Sequence, residues 1–237
     1  MSGIFRGAIV GLFLILIFAM TFTRPPHEIG INLMNTAAET KSLSLVIHII
    51  FLIVIALGLI LKKIRNLMFF LFIAFISLTA TVIAVNYRIL PNIPLFAIFF
   101  ILILRAYFLK KLNFDFRRPG LPTLIFGIGA LVFGFWYLHW VDDPVWLNAI
   151  LFSPMGSLNC PTMLTICGFL MLTAPPRSAL LESTVAISTL YFGFFGLMRL
   201  DAYIDVVLIV CALFLIIRSG TYLPFIERQN HTSGKSV

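Results

Sequence analysis

Long apolar runs separated by short polar loops fill almost the whole chain. A helix needs about 20 mostly apolar residues to cross the hydrocarbon core of a bilayer. Runs of about this length predict membrane-spanning helices at roughly 4–22, 43–61, 67–85, 93–109, 121–140, 145–174, 179–197 and 202–217. Prolines cluster in several of the loops between these runs. The pattern predicts an all-α fold, a polytopic helical membrane bundle of about eight transmembrane segments.

The composition supports lipid as the main solvent of the chain. Of its 237 residues, 61% are hydrophobic and 11% are charged, whereas a soluble domain carries about a quarter charged residues. Apolar segments continue along residues 1–227, which we expect to form one integral membrane domain. Residues 228–237 form the one polar stretch that is typical of a disordered tail.

The distribution of Lys and Arg orients the predicted spans. Loops on one side hold 12 of these residues and loops on the other side hold 4, with Arg105 inside a span. Cytoplasmic loops are enriched in Lys and Arg, so the first side is cytoplasmic and both termini face it. The net charge of +8 therefore reflects membrane topology, and we do not expect nucleic acid as a partner.

The first apolar run has two interpretations. Residues 1–23 resemble a signal peptide, with Arg6 before the apolar run and a poor small-residue cleavage site after it. The run is long for a signal peptide, which favours an uncleaved signal-anchor helix. Cleavage would leave the other seven spans oriented as before.

Small residues line one face of the fifth predicted span. They recur at alternating spacings of three and four, at Gly120, Thr123, Gly127, Ala130 and Gly134. This spacing lets a neighbouring helix backbone approach closely. We expect this helix to be central to the bundle, and Gly193 and Gly196 predict a weaker contact of the same kind.

The sixth predicted span contains the sequence PMGSLNCPTMLT, which is unusually polar for membrane depth. Proline fits well in the first turn of a helix and badly in its interior, so Pro161 predicts a helix start with Cys160 as its N-cap. A helix from there to about Ala174 rises roughly 21 Å, against about 30 Å of hydrocarbon. The span is therefore predicted to be broken or re-entrant, with the break at 153–157.

A broken helix exposes backbone groups that must be buried in protein or line a wet cavity. In transporters such helices often form the substrate site. One interpretation is a substrate-binding pocket near the outer leaflet built from Ser157, Asn159, Cys160 and Thr162. The other is a kinked helix whose polar side chains satisfy its own backbone.

The residues of this break resemble a motif of a family of uncharacterised bacterial multi-pass membrane proteins, a domain of unknown function. The family motif is Gly-x-Pro-Cys-Pro-Thr-Thr followed by an apolar helix with an early glycine. Cys160, Pro161, Thr162 and Gly168 match it. Met163 stands at its second threonine, Asn159 stands at the proline before the cysteine, and the glycine falls one place early, at Gly156.

The resemblance to this family extends from roughly residue 40 to residue 217. It includes the basic loop around Lys110 and an aspartate of the last span, which corresponds to Asp205. The family has no assigned activity. The resemblance therefore implies a multi-pass protein of the bacterial inner membrane and implies no chemistry.

Other ionisable residues lie in or near the predicted spans. His48 lies within the second span, where an ionisable group indicates a substrate-binding role by default. The alternative is a neutral histidine that is hydrogen-bonded to a neighbouring helix. His139, Asp142 and Asp205 are weak candidates for a transition-metal site near the outer face, because His and Asp are common ligands. Their spacing matches no metal motif.

The sequence leaves three functions open. The first is binding or transport of a small solute or cation at Cys160-Pro161-Thr162, which needs a water-accessible Cys160. The second is a non-catalytic accessory or assembly subunit, with a buried Cys160 and an exposed small-residue face for a membrane-protein partner or a second copy. The third is a membrane-embedded enzyme acting on a lipid or thiol, which needs Cys160 near His48 or His139. No hydrolase, nucleotide or haem motif is present, so an enzyme is less favoured and no cofactor is expected.

Overall fold

A computed structural model of the protein describes residues 11–12, 15–114, 120–140 and 146–220. Within them, residues 15–21 are helical. The later helices are α1 (Pro26–Glu39), α2 (Lys41–Ile60), α3 (Arg65–Asn86), α4 (Asn92–Phe108), α5 (Leu121–Phe135), α6 (Trp146–Phe152), α7 (Asn159–Met171), α8 (Ala179–Arg199) and α9 (Val206–Gly220). A two-residue antiparallel ladder pairs β1 (Asn113–Phe114) with β2 (Thr173–Ala174), and a 3₁₀ turn (Tyr203–Asp205) precedes α9. The fold is all-α, as predicted.

Three helices are long and apolar enough to cross a membrane, namely α2, α3 and α8. They match three predicted spans to within two residues at either end. The structure does not support eight spans, because α4, α5 and α7 are apolar but only 17, 15 and 13 residues long. At 1.5 Å per residue, helices of this length fall short of about 30 Å of hydrocarbon.

The surface of the bundle is apolar, and its largely hydrophobic interior also holds polar and ionisable side chains. Large exposed hydrophobic side chains run along the outward faces of the helices, for example Leu52, Leu78 and Val132. The buried side chains include His48, Glu182 and Asp205. Soluble proteins rarely expose apolar patches of this extent, so this distribution indicates association with a membrane.

Helix α1 was not predicted. Its sequence carries scattered polar residues, and Pro25-Pro26 was interpreted as a loop. Pro25 is instead the N-cap and Pro26 the first helical residue, a position where the missing proline N–H costs nothing. The helix buries Leu33, Thr36 and Ala37 and exposes most of its other side chains.

The central element is α7, all of whose residues are buried. It packs against α3, α5, α8 and α9. The predicted small-residue face of α5 is confirmed at Gly127 and Gly134 as its packing seam with the end and the start of α7, because a Cβ on Gly134 would overlap Thr165 and the Pro161 carbonyl. Gly120 is exposed and precedes the helix, so it does not belong to this seam. The fifth predicted span therefore contacts the centre of the bundle but does not form it.

Candidate functional site

The structure places a break between two short helices where the sequence predicted a broken sixth span, and the second helix starts earlier than predicted. Helix α6 ends at Phe152 and α7 begins at Asn159. Leu158 is the N-cap, in an extended conformation and without a side-chain cap hydrogen bond, so the prediction of Cys160 as N-cap is wrong. A Cys thiol is a weak acceptor, and extending the helix by two residues buries Asn159 and Cys160 in its first turn. The helix ends at Met171, because Thr173 and Ala174 pair with β1.

Two hydroxyl groups satisfy backbone atoms around the break. The Thr162 Oγ1 atom accepts a hydrogen bond from the Gly156 N–H at 2.8 Å and donates to the Leu158 carbonyl at 2.5 Å. Ser153 Oγ donates to the Gly134 carbonyl at 3.2 Å and accepts from the Tyr137 N–H at 3.3 Å. Thr162, predicted as a ligand-binding residue, therefore supports the break itself.

A single glycine shapes the turn between the two helices. Gly156 has φ +78°, in the left-handed region that residues with a Cβ rarely adopt. A Cβ there would also lie 2.6 Å from the Ile47 side chain of α2. The turn is therefore fixed both by its backbone conformation and by a close neighbour.

A buried carboxylate lies against the start of α7. The Tyr137 hydroxyl donates to Asp205 Oδ1, and the Cys160 thiol donates to Asp205 Oδ2 at 3.4 Å. Asp205 is 0% exposed and Cys160 is 3% exposed. We call Tyr137, Cys160 and Asp205 the carboxylate cluster. Sequence reasoning missed Tyr137, which follows α5 in a segment with no motif.

The carboxylate cluster depends on a glycine of α8. A Cβ on Gly196 would overlap the Asp205 carboxylate, and the Gly196 carbonyl accepts from the Ala202 N–H at 3.0 Å. The absence of a side chain at this position lets the 3₁₀ turn bring Asp205 inward. The predicted close contact at Gly193 and Gly196 is confirmed, since a Cβ on Gly193 would meet Ile209 and Leu208.

The other predicted site residues lie apart from this cluster. His48 Nδ1 is 2.7 Å from the Ser44 carbonyl, and its Nε2 is 2.9 Å from the Phe135 carbonyl. None of its hydrogen bonds reaches the carboxylate cluster, and its second contact connects α2 to the end of α5. Ser157 Oγ is buried and has no hydrogen-bond partner.

The described residues contain no group of three or more His, Cys, Asp and Glu side chains that could hold a metal ion. His139 packs its ring edge against Trp140, with centroids 4.4 Å apart. Asp205 belongs to the carboxylate cluster. Asp142 lies outside the described residues, as do residues 1–10 and the predicted tail at 228–237, so a metal site there stays a prediction.

A cavity of about 40 Å³ lies beside the start of α7. Its polar lining is Thr21, Thr23, Arg24, Asn32, Arg88, Asn92 and Asn159, and its apolar lining includes Leu33, Phe192 and Phe195. We call it the outer cavity, because its loops belong to the side that the Lys and Arg distribution assigns to the outside. Asn159 contributes to it, so one predicted site residue lines a cavity.

No known protein family, curated protein or solved structure matches this chain. Function must therefore be argued from the break, the carboxylate cluster and the outer cavity.

Proposed function

We propose that this chain is a multi-pass protein of the bacterial inner membrane that binds and carries a small solute together with a proton at the broken helix. Asp205 is the group that holds the proton. The observation that carries the proposal is a fully buried carboxylate in an apolar bundle, facing the first turn of α7 at a helix break. Ionisable residues within membrane bundles commonly mark ion pathways.

The break supplies the setting for such a site. Helix α7 begins inside the bundle with no side-chain cap at its N-terminus, so the positive end of its dipole favours negative charge there. Discontinuous helices in transporters place helix ends and polar side chains around the solute and the coupling ion.

A proton fits the carboxylate cluster better than a metal ion does. A proton needs one carboxylate, whereas a metal ion needs a shell of several ligands. Among the described residues, the titratable groups seen to contact the Asp205 carboxylate are the Cys160 thiol and the Tyr137 phenol. Both donate hydrogen bonds to it, which the ionised form accepts.

Protonation would change the geometry of the cluster. A protonated carboxyl carries a hydrogen of its own, which needs an acceptor. At least one of the two donors must then rotate away or reverse its hydrogen bond. Tyr137 follows α5, Cys160 lies on α7 and Asp205 precedes α9. A change in their hydrogen bonds therefore affects the contacts among these three helices. Cys160 is 3% exposed in this structure, so the water-accessible thiol that the transport hypothesis requires is not seen. We propose that this conformation is the occluded one.

The experiment compares two aspartates of one loop. Asp205→Asn removes the buried carboxylate, and Asp201→Asn removes an exposed one. Asp201 has φ +53°, which asparagine tolerates, so the control keeps its backbone. Proteoliposomes adsorbed on a solid-supported membrane are exposed to an acid jump, and the transient charge displacement is recorded.

Wild type and Asp201→Asn are expected to show a transient charge displacement, and Asp205→Asn is expected to lose it. In parallel, infrared spectra should show a carboxyl C=O band that grows on acidification and is absent from Asp205→Asn. An unchanged transient in folded Asp205→Asn would overturn the proposal. Solute screens by uptake into the same proteoliposomes would follow a positive result.

A non-catalytic accessory subunit is the second candidate, because Cys160 is buried, as that function requires. The same hypothesis requires an exposed small-residue face, and the buried glycines of the α5 face are covered by α7. The enzyme hypothesis requires Cys160 near a histidine, and the recorded hydrogen bond of this thiol is to Asp205. Proton transport is therefore the better supported function.

A further inference from the structure

We infer that the outer cavity binds an oxyanion group, a carboxylate or a phosphate, through Arg24, Arg88, Asn92 and Asn159. This inference names the chemical class of the ligand. The residues of the cavity alone support binding of an anion. The statement that this anion is a transported solute rests on the proposed function.

The cationic side of the outer cavity has no acidic partner. Arg24 follows the first apolar segment, and Arg88 lies in the loop after α3 with φ +54°. Neither guanidinium lies within salt-bridge distance of an Asp or Glu among the described residues. Arg24 is half-buried and Arg88 is exposed, and both line the same cavity, so an anion in the cavity is attracted by both charges. Arginine also binds carboxylate and phosphate with two parallel hydrogen bonds.

Two buried amides in the cavity wall lack partners. Asn92 is 1% exposed and its Nδ2 has no hydrogen-bond partner, and Asn159 is 6% exposed and its Oδ1 has none. Asn32, by contrast, donates to the Tyr87 carbonyl at 3.2 Å. Buried polar atoms are nearly always hydrogen-bonded, so these two amides indicate a ligand.

The unpaired atoms also describe the ligand. The free donor on Asn92 fits an oxygen of the anion, and the free acceptor on Asn159 fits a hydroxyl or ammonium group beside it. A volume of about 40 Å³ holds about three water molecules, which is the space of the polar end of a small acid. The apolar wall from Leu33 and Phe192 limits what else can enter.

The outer cavity and the carboxylate cluster share one turn of helix. Asn159 lines the cavity, and the next residue, Cys160, donates to Asp205. A ligand that binds Asn159 therefore contacts the first turn of α7, and the proton site also depends on the position of that turn. This connection is what would couple an anionic solute to a proton.

The test measures binding to the purified full chain in a neutral detergent. The probes are lactate, inorganic phosphate and dihexanoyl phosphatidic acid, titrated by calorimetry and by thermal stability. The double variant Arg24→Gln, Arg88→Gln removes both charges of the cavity. Arg199→Gln is the matched control, because Arg199 also lies near the outer end but stacks over the Phe22 ring at 4.9 Å.

Saturable binding of one probe is expected, weakened about tenfold or more in the double variant and unchanged in Arg199→Gln. Asn159→Ala should weaken the same probe with no loss of thermal stability, because its Oδ1 has no partner to lose. Binding of lactate or phosphate points to a free solute, and binding of phosphatidic acid alone points to a lipid headgroup. Both outcomes support the oxyanion site.

The inference is overturned if no probe binds folded protein at millimolar concentration, or if the double variant binds as tightly as wild type. Failure of the proposed function has a different signature. Arginine-dependent binding together with an unchanged acid-jump transient in Asp205→Asn would keep the anion site and remove the proton site.

Discussion

The two ends of α7 are held in different ways. At its C-terminal end, which we call the inner end because it lies away from the outer cavity, Arg218 Nη1 donates to the Leu170 carbonyl at 2.7 Å and Nη2 donates to the Thr173 carbonyl. The β1–β2 ladder and an Asn66–Asn113 hydrogen bond of 2.9 Å lie beside this end. At its outer end there is no side-chain cap, and Ser157 and Asn159 carry polar atoms without partners.

The difference separates stability from function. Carbonyl groups at the end of a buried helix need donors, and at the inner end one arginine donates to the Leu170 carbonyl of α7 and to the Thr173 carbonyl just after it. The outer end instead gathers a carboxylate, a thiol and a phenol and leaves amide atoms unpaired beside a cavity. Such unpaired groups weaken a fold, and they are expected where a ligand completes the site.

The largest expected effect is a difference in unfolding free energy between glycine variants at the two ends of the α5–α7 seam. Gly134→Ala places a Cβ 2.9 Å from the Pro161 carbonyl near the outer end, whereas Gly127→Ala meets the flexible Leu172 side chain at 3.0 Å near the inner end. Because backbone yields less than a side chain, we expect losses in unfolding free energy of about 3 and about 1 kcal/mol.

Gly129→Ala on the same helix is the control for this pair. A Cβ at Gly129 meets nothing within 4 Å, so helix propensity should stabilise the protein by about 0.5–1 kcal/mol. Unfolding in mixed micelles measures all three variants. Equal losses for Gly134→Ala and Gly127→Ala would contradict the seam described here.

The second effect concerns the inner cap. Arg218→Leu removes a donor from the Thr173 carbonyl and leaves the Leu170 carbonyl with the Thr173 hydroxyl at 2.6 Å, and we expect a loss of about 2 kcal/mol. Arg105→Leu, which removes an exposed arginine on the inner side of the bundle, should change stability by less than about 0.5 kcal/mol. Thermal unfolding in detergent provides the comparison. Similar stability of the two variants would show that the hydrogen bonds of Arg218 do not stabilise the inner end of α7.

The sequence predicted the membrane class, the three long helices and the break before α7. These depend on hydrophobic run length and on the backbone restriction of proline, which are local properties. It did not predict α1, where a proline pair was interpreted as a loop. Nor did it predict the pairing of β1 with β2, because strands of two residues carry no periodicity.

Within the candidate site, the sequence identified Asn159 and Cys160 by their polarity at membrane depth. It named Asp205 as a weak metal candidate and through the family resemblance, without predicting its contact with Cys160, and it missed Tyr137. Their separations along the chain are 45 residues from Cys160 to Asp205 and 68 from Tyr137 to Asp205. Contacts of this range depend on how helices pack, and Gly196 decides whether Asp205 can approach, which only three-dimensional packing reveals.

The third prediction tests whether the outer end contributes to stability. Tyr137→Phe removes one hydrogen bond to Asp205, and we expect a loss of about 1 kcal/mol together with an altered acid-jump transient. Tyr203→Phe is the control, since Tyr203 is 73% exposed in the same 3₁₀ turn as Asp205. A loss as large as that of Arg218→Leu would indicate that the outer end is as structural as the inner end.

The smallest effect is a change in the rate of thiol labelling at Cys160, measured in a Cys167→Ala, Cys211→Ala background with an impermeant maleimide added from outside. The buried thiol should react slowly at neutral pH. Acidification lowers the thiolate fraction of any cysteine and slows its reaction. We expect protonation of Asp205 to release the Cys160 hydrogen bond and to open the break. The labelling rate of Cys160, divided by that of a free thiol at the same pH, should then increase at lower pH. Asp205→Asn should abolish this increase. In the protein with a wild-type Asp205, a corrected labelling rate that does not change with pH would mean that the outer end of α7 is as closed as the inner end.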